Sequence, residues 1–162
     1  MDVELTVYLS GEIHTDWRED LRSGVDELEL PVDLTGPVTD HSASDDCGVT
    51  ILGHEEKNFW KDHKGAKLNA IRTRTLINEA DLVIVRFGEK YRQWNAAFDA
   101  GYAAAQGTPY IVIHDAEHAH ALKEVDADAL AVCETVEQAV AILRYVCRGE
   151  LVRPSPSLSV VR

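Results

Sequence analysis

Apolar and polar positions change period several times along the chain. The run ELTVYLS, residues 4–10, is short and apolar-rich and stops at Gly11, which predicts a strand and a turn. TDWREDLRSGVDEL then places Trp17, Leu21 and Val25 at i, i+4 and i+8, one face of a helix, with Thr15 or Asp16 as its cap. LELPVDLTG, residues 28–36, reads as a second strand, and Pro31 puts it at a sheet edge. GPVTDHSASDDCGVTILGHEEKNFW follows, polar and weakly periodic. Its apolar anchors Val49, Ile51, Leu52, Phe59 and Trp60 make it an ordered long loop in this reading, and such loops tend to carry function.

Helical periodicity returns from Lys64 to Ala80, with Leu68, Ile71, Leu76 and Ile77. DLVIVRFG, residues 81–88, is nearly continuously apolar, the pattern of a central strand buried on both faces. Residues 95–106 form the next helix, stopped by Gly107 and Pro109. YIVIHD (110–115) is a buried strand, 117–124 a short helix and ALAVCE (129–134) a last strand. TVEQAVAILRYVCRG is the final helix, capped by Thr135 with Gln138 in its first turn.

This alternation implies right-handed βαβ units. The expected fold is α/β: one three-layer domain over residues 1–147, with a parallel sheet of five strands covered on both faces. A Pro/Ser-rich tail, 148–162, follows it. Ligands of such sheets bind outside the carboxyl ends of the strands, at the topological switch point. The segments to inspect are therefore SGEIH, GPVTDH, FGEKYRQWN and HDAEHAH.

Composition narrows the classes. A chain of 162 residues suits one domain. Cys47, Cys133 and Cys147 form no C-x-x-C pair, which fits reduced thiols in a cytoplasmic protein. No apolar run approaches the roughly 20 residues of a membrane span, and no basic region precedes the first apolar stretch. The expectation is a cytoplasmic protein with no membrane partner. The net charge of −12 repels a phosphate backbone and argues against a nucleic-acid polymer as partner. The same acidity reads either as adaptation to high salt or as an ordinary acidic surface.

Two phosphate motifs are missing: no G-x-G-x-x-G follows the first strand, and no G-x-x-x-x-G-K-[ST] occurs. No cofactor is implied. A phospho-acceptor receiver is excluded because the middle strand ends in Arg86, Phe87 and Gly88 rather than an aspartate. His114, His118 and His120 have the residue type of a metal site, but no carboxylate or cysteine stands at a matching spacing, so no metal is expected. GPVTDHSASDD gathers Asp40, His41, Ser42, Ser44, Asp45 and Asp46 after the second strand. Those groups suit either a polar ligand or their own backbone.

NAAFDAGYAAAQGTP, residues 95–109, raises a sharper question. Asp99 sits in or just beyond the first turn of a helix otherwise built for packing, beside the Phe98/Tyr102 face and before small residues that let the helix approach the sheet. A helix beginning at the carboxyl edge of a central strand aims an early carboxylate into the ligand crevice. There it can interact with the helix dipole, or act as a nucleophile at an anomeric carbon.

At these residues a resemblance emerges. NAAFDAGYAAAQGTPYIVI and VYLSGEIH resemble nucleoside 2-deoxyribosyltransferases. YLSGEIHTDWR, GPVTDHSASDDCG and LNAIRTRTLINEADLVIVRFGEKYRQWN resemble the YtoQ branch more closely, over roughly residues 4–147. The resemblance implies a flavodoxin-like fold, homo-oligomers, and attack of a carboxylate on C1′ of a nucleoside. Asp99 matches the nucleophile, which in the family is typically glutamate, one methylene longer. Tyr8, Gly11, Trp94 and Asn95 match pocket positions, while Arg92, Gln93, Trp94 and Asn95 stand where characterised members carry a further aspartate. Glu12, Asp40, His41, Gly88 and Glu89 complete the expected substrate-binding set, and Arg72 or Arg92 suit a phosphate. The implied partner is a small-molecule nucleoside or nucleotide, transferred or hydrolysed. The alternative is a non-catalytic module binding the same ligands.

Overall fold

The computed structural model describes residues 1–90 and 92–154. Five strands lie in one parallel sheet: β1 (Leu5–Gly11), β2 (Val32–Thr35), β3 (Leu82–Arg86), β4 (Tyr110–Ile113) and β5 (Ala131–Cys133). Their order is β2-β1-β3-β4-β5. The α-helices are α1 (Trp17–Glu27), α2 (His41–Leu52), α3 (Asn58–Glu79), α4 (Trp94–Gln106), α5 (Lys123–Asp128) and α6 (Val136–Arg148). This is the expected flavodoxin-like α/β fold, and β2 takes the edge that Pro31 requires. Its switch point lies between β1 and β3, whose following segments leave on opposite faces.

Strand alternation builds two cores. Val7 and Leu9 of β1 and Ile84 of β3 face α1 and α6, packing on Trp17, Leu21, Val25 and Leu143. Tyr8 of β1 and Val83 and Val85 of β3 face α3 and α4, packing on Ile77, Ala96, Ala100 and Ala103. The alanines recur at i, i+4 and i+7, so α4 lies close against the sheet. α6 begins with the expected capping box: Thr135 Oγ1 accepts from Gln138 N, and the Gln138 side chain returns to the backbone N–H of Thr135.

Two expectations fail. The segment at 36–60 is not a long loop: α2 occupies His41–Leu52, and α3 starts at Asn58 rather than Lys64. Its periodicity is weak because α2 and α3 meet through glycine, not through a stripe of large side chains. A Cβ on Gly48 would lie 2.4 Å from Gly65 N and 2.5 Å from the Lys64 carbonyl carbon. The expected helix at 117–124 is a 3₁₀ turn, Ala116–His118, followed by α5. Most of the Pro/Ser-rich tail, from 155 onward, lies outside the described residues.

The α2/α3 contact carries a test. Alanine at Gly48 would gain about 1 kcal/mol of helix propensity. The clash is with backbone, which cannot swing aside, and overpacking of that kind costs about 1–3 kcal/mol. Gly48→Ala is expected to lower the melting temperature by a few degrees, and a higher value would refute the close crossing.

Candidate active site

A cleft of about 840 Å³ opens over the switch point. Its walls come from the end of β1 (Tyr8, Gly11, Glu12), the start of α2 (His41, Ser44, Asp45), a long face of α3 (Asp62 to Arg74) and the start of α4 (Trp94 to Tyr102). The α2/α3 hairpin, of which the sequence left α2 and the start of α3 as loop, thus supplies one side of the cleft.

Asp99 lies at the floor, in the second turn of α4. It stands three residues after Ala96 and one before Ala100, so the packing stripe that presses α4 on the sheet also carries its carboxyl to the end of β1. There Ser10 Oγ donates to Asp99 Oδ2 at 2.6 Å. Ser10 is buried and faces α4 because it alternates with Val7 and Leu9. Burial pushes the Asp99 carboxyl above the usual aspartate range, and the Ser10 hydrogen bond acts against that shift. The other oxygen, Oδ1, has no hydrogen-bond partner among the described residues. A half-buried carboxylate with one oxygen fixed and one available has the form of a nucleophile.

Ser10 was not among the sequence candidates, and the strand period is the signal that marks its face. Ser10→Ala is expected to raise the Asp99 pKa further, since a donor to the charged form is lost. It also leaves a buried acceptor unsatisfied, at roughly 1–3 kcal/mol. Carboxyl-carbon NMR titration measures the shift, and a lowered or unchanged pKa would contradict the hydrogen bond.

Tyr8 is fully buried beneath the cleft, and its hydroxyl donates to Thr73 Oγ1 at 3.4 Å. Burial pushes its pKa up to about 12, with the Thr73 hydrogen bond opposing and the nearby Asp99 charge adding to the rise. Glu12 is also buried. Burial opposes its ionisation, yet hydrogen bonds from the Thr15 hydroxyl and from the His14 and Thr15 N–H groups, with Arg86 nearby, hold its carboxyl below the ordinary range. Its oxygens therefore build the β1–α1 turn. Arg18 ties the same turn down, donating to the carbonyls of Leu9, Gly11 and Glu12.

The remaining candidates divide. Gly11, Glu12, His41, Trp94 and Asn95 line the cleft with Tyr8 and Asp99, whereas Asp40, Gly88 and Glu89 do not. Asp40 caps α2, accepting from Ala43 N at 2.7 Å and Ser42 Oγ at 3.1 Å, and these bonds lower its pKa. Gly88 is a packing position: a Cβ there would lie 2.9 Å from Glu12 Cγ. His41 Nδ1 pairs with Asp45 Oδ2 at 2.9 Å on the exposed lip. Beyond Ser10, the sequence reading missed Asn69 and Thr73, which α3 brings to the cleft. Asn69 Nδ2 donates to the Ser44 carbonyl at 3.0 Å and so joins α3 to α2.

The three histidines after β4 have separate surroundings. Buried His114 holds Asp126 through Nε2, at 3.0 Å, and its Nδ1 lies 2.8 Å from the Asp115 carbonyl oxygen. His118 instead approaches Asp115 and Glu117, their ligand-type atoms lying within 4.8 Å of one another. None of these three carboxylates was anticipated from spacing.

A parallel 2-1-3-4-5 sheet defines a flavodoxin-like α/β fold, and Asp99 stands at its switch point. The family described as Nucleoside 2-deoxyribosyltransferase YtoQ matches residues 8–147, and the chain belongs to that family. It is 44% identical over 148 residues to protein YtoQ of Bacillus subtilis (strain 168), covering 91% of this chain and all of that one. Among solved structures, a conserved protein from Enterococcus faecalis V583 superposes with a TM-score of 0.59 at 13% identity, covering 88% of this chain and 98% of the other. The 2-deoxyribosyltransferase of the psychrotolerant Bacillus psychrosaccharolyticus gives 0.51, also at 13% identity, over 93% and 99%. These likenesses establish the fold. No helix among the described residues is long and apolar enough to cross a membrane.

Proposed function

We propose that the protein is an enzyme that cleaves or transfers at the N-glycosidic bond of a nucleoside or nucleotide, with Asp99 as nucleophile. The observation that carries this reading is the Ser10–Asp99 hydrogen bond of 2.6 Å, which fixes a half-buried carboxylate at the floor of the switch-point cleft. The cleft volume falls within the range of small-ligand sites. Family membership supports the same chemistry.

In this mechanism ionised Asp99 attacks C1′ through its free oxygen. The C1′–N bond breaks, its electron pair leaves with the base, and the base takes up a proton. A glycosyl ester on Asp99 remains. Water or a second base then attacks C1′, gives up its proton and releases the carboxylate. Asp99 must be ionised to attack, so the rate falls as pH drops through its raised pKa. Glu12 keeps the turn beside it in place.

The test is chromatography of the protein with a 2′-deoxynucleoside and a different free base, at low and high potassium chloride, beside Asp99→Asn. Base exchange or base release that the variant lacks is the expected result. Ligand-induced thermal stabilisation without product at either salt would instead make the protein a binding module.

A further inference from the structure

The chain carries 28 acidic residues against 16 lysines and arginines, yet its cleft is not acidic. Lys67, Arg72, Arg74 and Arg92 all line it, against four carboxylates. Three of those carboxylates are already committed: Glu12 to its turn, Asp45 to His41, and Asp99 to Ser10. None of the four cations forms a salt bridge among the described residues, although five other cationic side chains of the chain, lysines and arginines, do. Arg72 donates only to the Gly36 carbonyl, while Arg74 and Arg92 rest over the rings of Tyr102 and Trp94. In so acidic a protein, cations left without carboxylate partners and gathered on one cleft are arranged for an anion from outside.

We propose that this arc, with Arg72 at its centre and Lys67 and Arg74 on the same helix, binds the phosphate of the substrate, so that the cleft takes a nucleoside monophosphate rather than a free nucleoside. The proposal rests on the nucleoside reading of the same cleft and adds the charged group. A phosphate dianion approaching a chain of net charge −12 is repelled everywhere except at such a local concentration of positive charge. Guanidinium groups bind it by charge-assisted, often bidentate hydrogen bonds. The aromatic rings under Arg74 and Arg92 hold those side chains at the cleft before a ligand arrives.

Isothermal titration of the full chain with 2′-deoxynucleosides, their 5′-monophosphates and inorganic phosphate, at two potassium chloride concentrations, tests it. Monophosphates are expected to bind at least about tenfold more tightly than the matched nucleosides. Salt should narrow that advantage. Arg72→Gln should remove most of it, and Lys67→Gln, an exposed change with no bonded partner to lose, should reduce it in the same direction. Nucleosides and monophosphates binding equally would overturn the phosphate site and leave the nucleoside reading standing. Inorganic phosphate binding that weakens in Arg72→Gln, with no nucleoside or nucleotide bound, would keep the anion site and sink the nucleoside reading. No binding by any of the three probes would overturn both.

Discussion

Asp99→Asn is expected to lower turnover by at least about 10³-fold, the scale on which loss of a covalent nucleophile acts, and to melt at a higher temperature than the parent at neutral pH. The second effect follows from the sign of the pKa shift. Burial raises the folded-state pKa of Asp99 above its unfolded value. Between those two values the folded protein keeps a proton that the unfolded chain releases, so stability falls as pH rises through that window. Above it the penalty is complete, and below the unfolded pKa it vanishes. Asparagine retains an acceptor for the Ser10 hydroxyl and carries no charge to desolvate. The melting curves of parent and variant should therefore separate at neutral pH and converge in acid. Parental turnover in the variant would remove Asp99 from the mechanism. A variant less stable at neutral pH would contradict the buried charge.

The other large effect is expected at Gly11. Its φ of +119° lies where side chains are strained, and a Cβ there would fall 2.0 Å from the Arg86 carbonyl oxygen, its neighbour across β3. That oxygen already accepts from Glu12 N, so the turn cannot drift away without losing its own hydrogen bond. Strain of about 1–3 kcal/mol and overpacking of a similar size combine in Gly11→Ala. A loss of about 3–5 kcal/mol corresponds to roughly 6–20 °C in melting temperature for a domain of this size. A thermal melt checks it, and a shift under 2 °C would show that the turn is looser than described. Because Glu12, Arg18 and Ser10 all hang on this turn, any surviving Gly11→Ala protein should also lose ligand affinity.

The fold was legible where burial and period agree. DLVIVRFG reads as a central strand because both of its faces are covered, and Trp17, Leu21 and Val25 read as a helix because one face is. α2 was illegible for a converse reason: its packing runs through Gly48 and Gly65, and glycine leaves no hydrophobic period. Asp99 was legible as an oddity in a packing helix. Ser10 was not, since one serine in an apolar strand is unremarkable until its partner, 89 residues away, is known. Asp40 and Gly88 had the residue types of a site, but one spends its carboxylate on a helix cap and the other exists to let Glu12 approach.

By itself, then, the sequence determined the α/β alternation, the edge placement of β2, the helix stop at Gly107 and the carboxylate at position 99. These are local matters, decided by side-chain period, backbone freedom and the residues within a few positions. Tertiary structure alone decided which polar groups meet. The pairing of β1 with β3 brings Ser10 to Asp99 and Gly11 to Arg86, and the α2/α3 hairpin folds Asn69, Arg72 and Thr73 over the cleft. Such contacts join residues far apart in the chain, where no local propensity acts, and they form only because burying two apolar faces of one sheet brings its strands and helices into register.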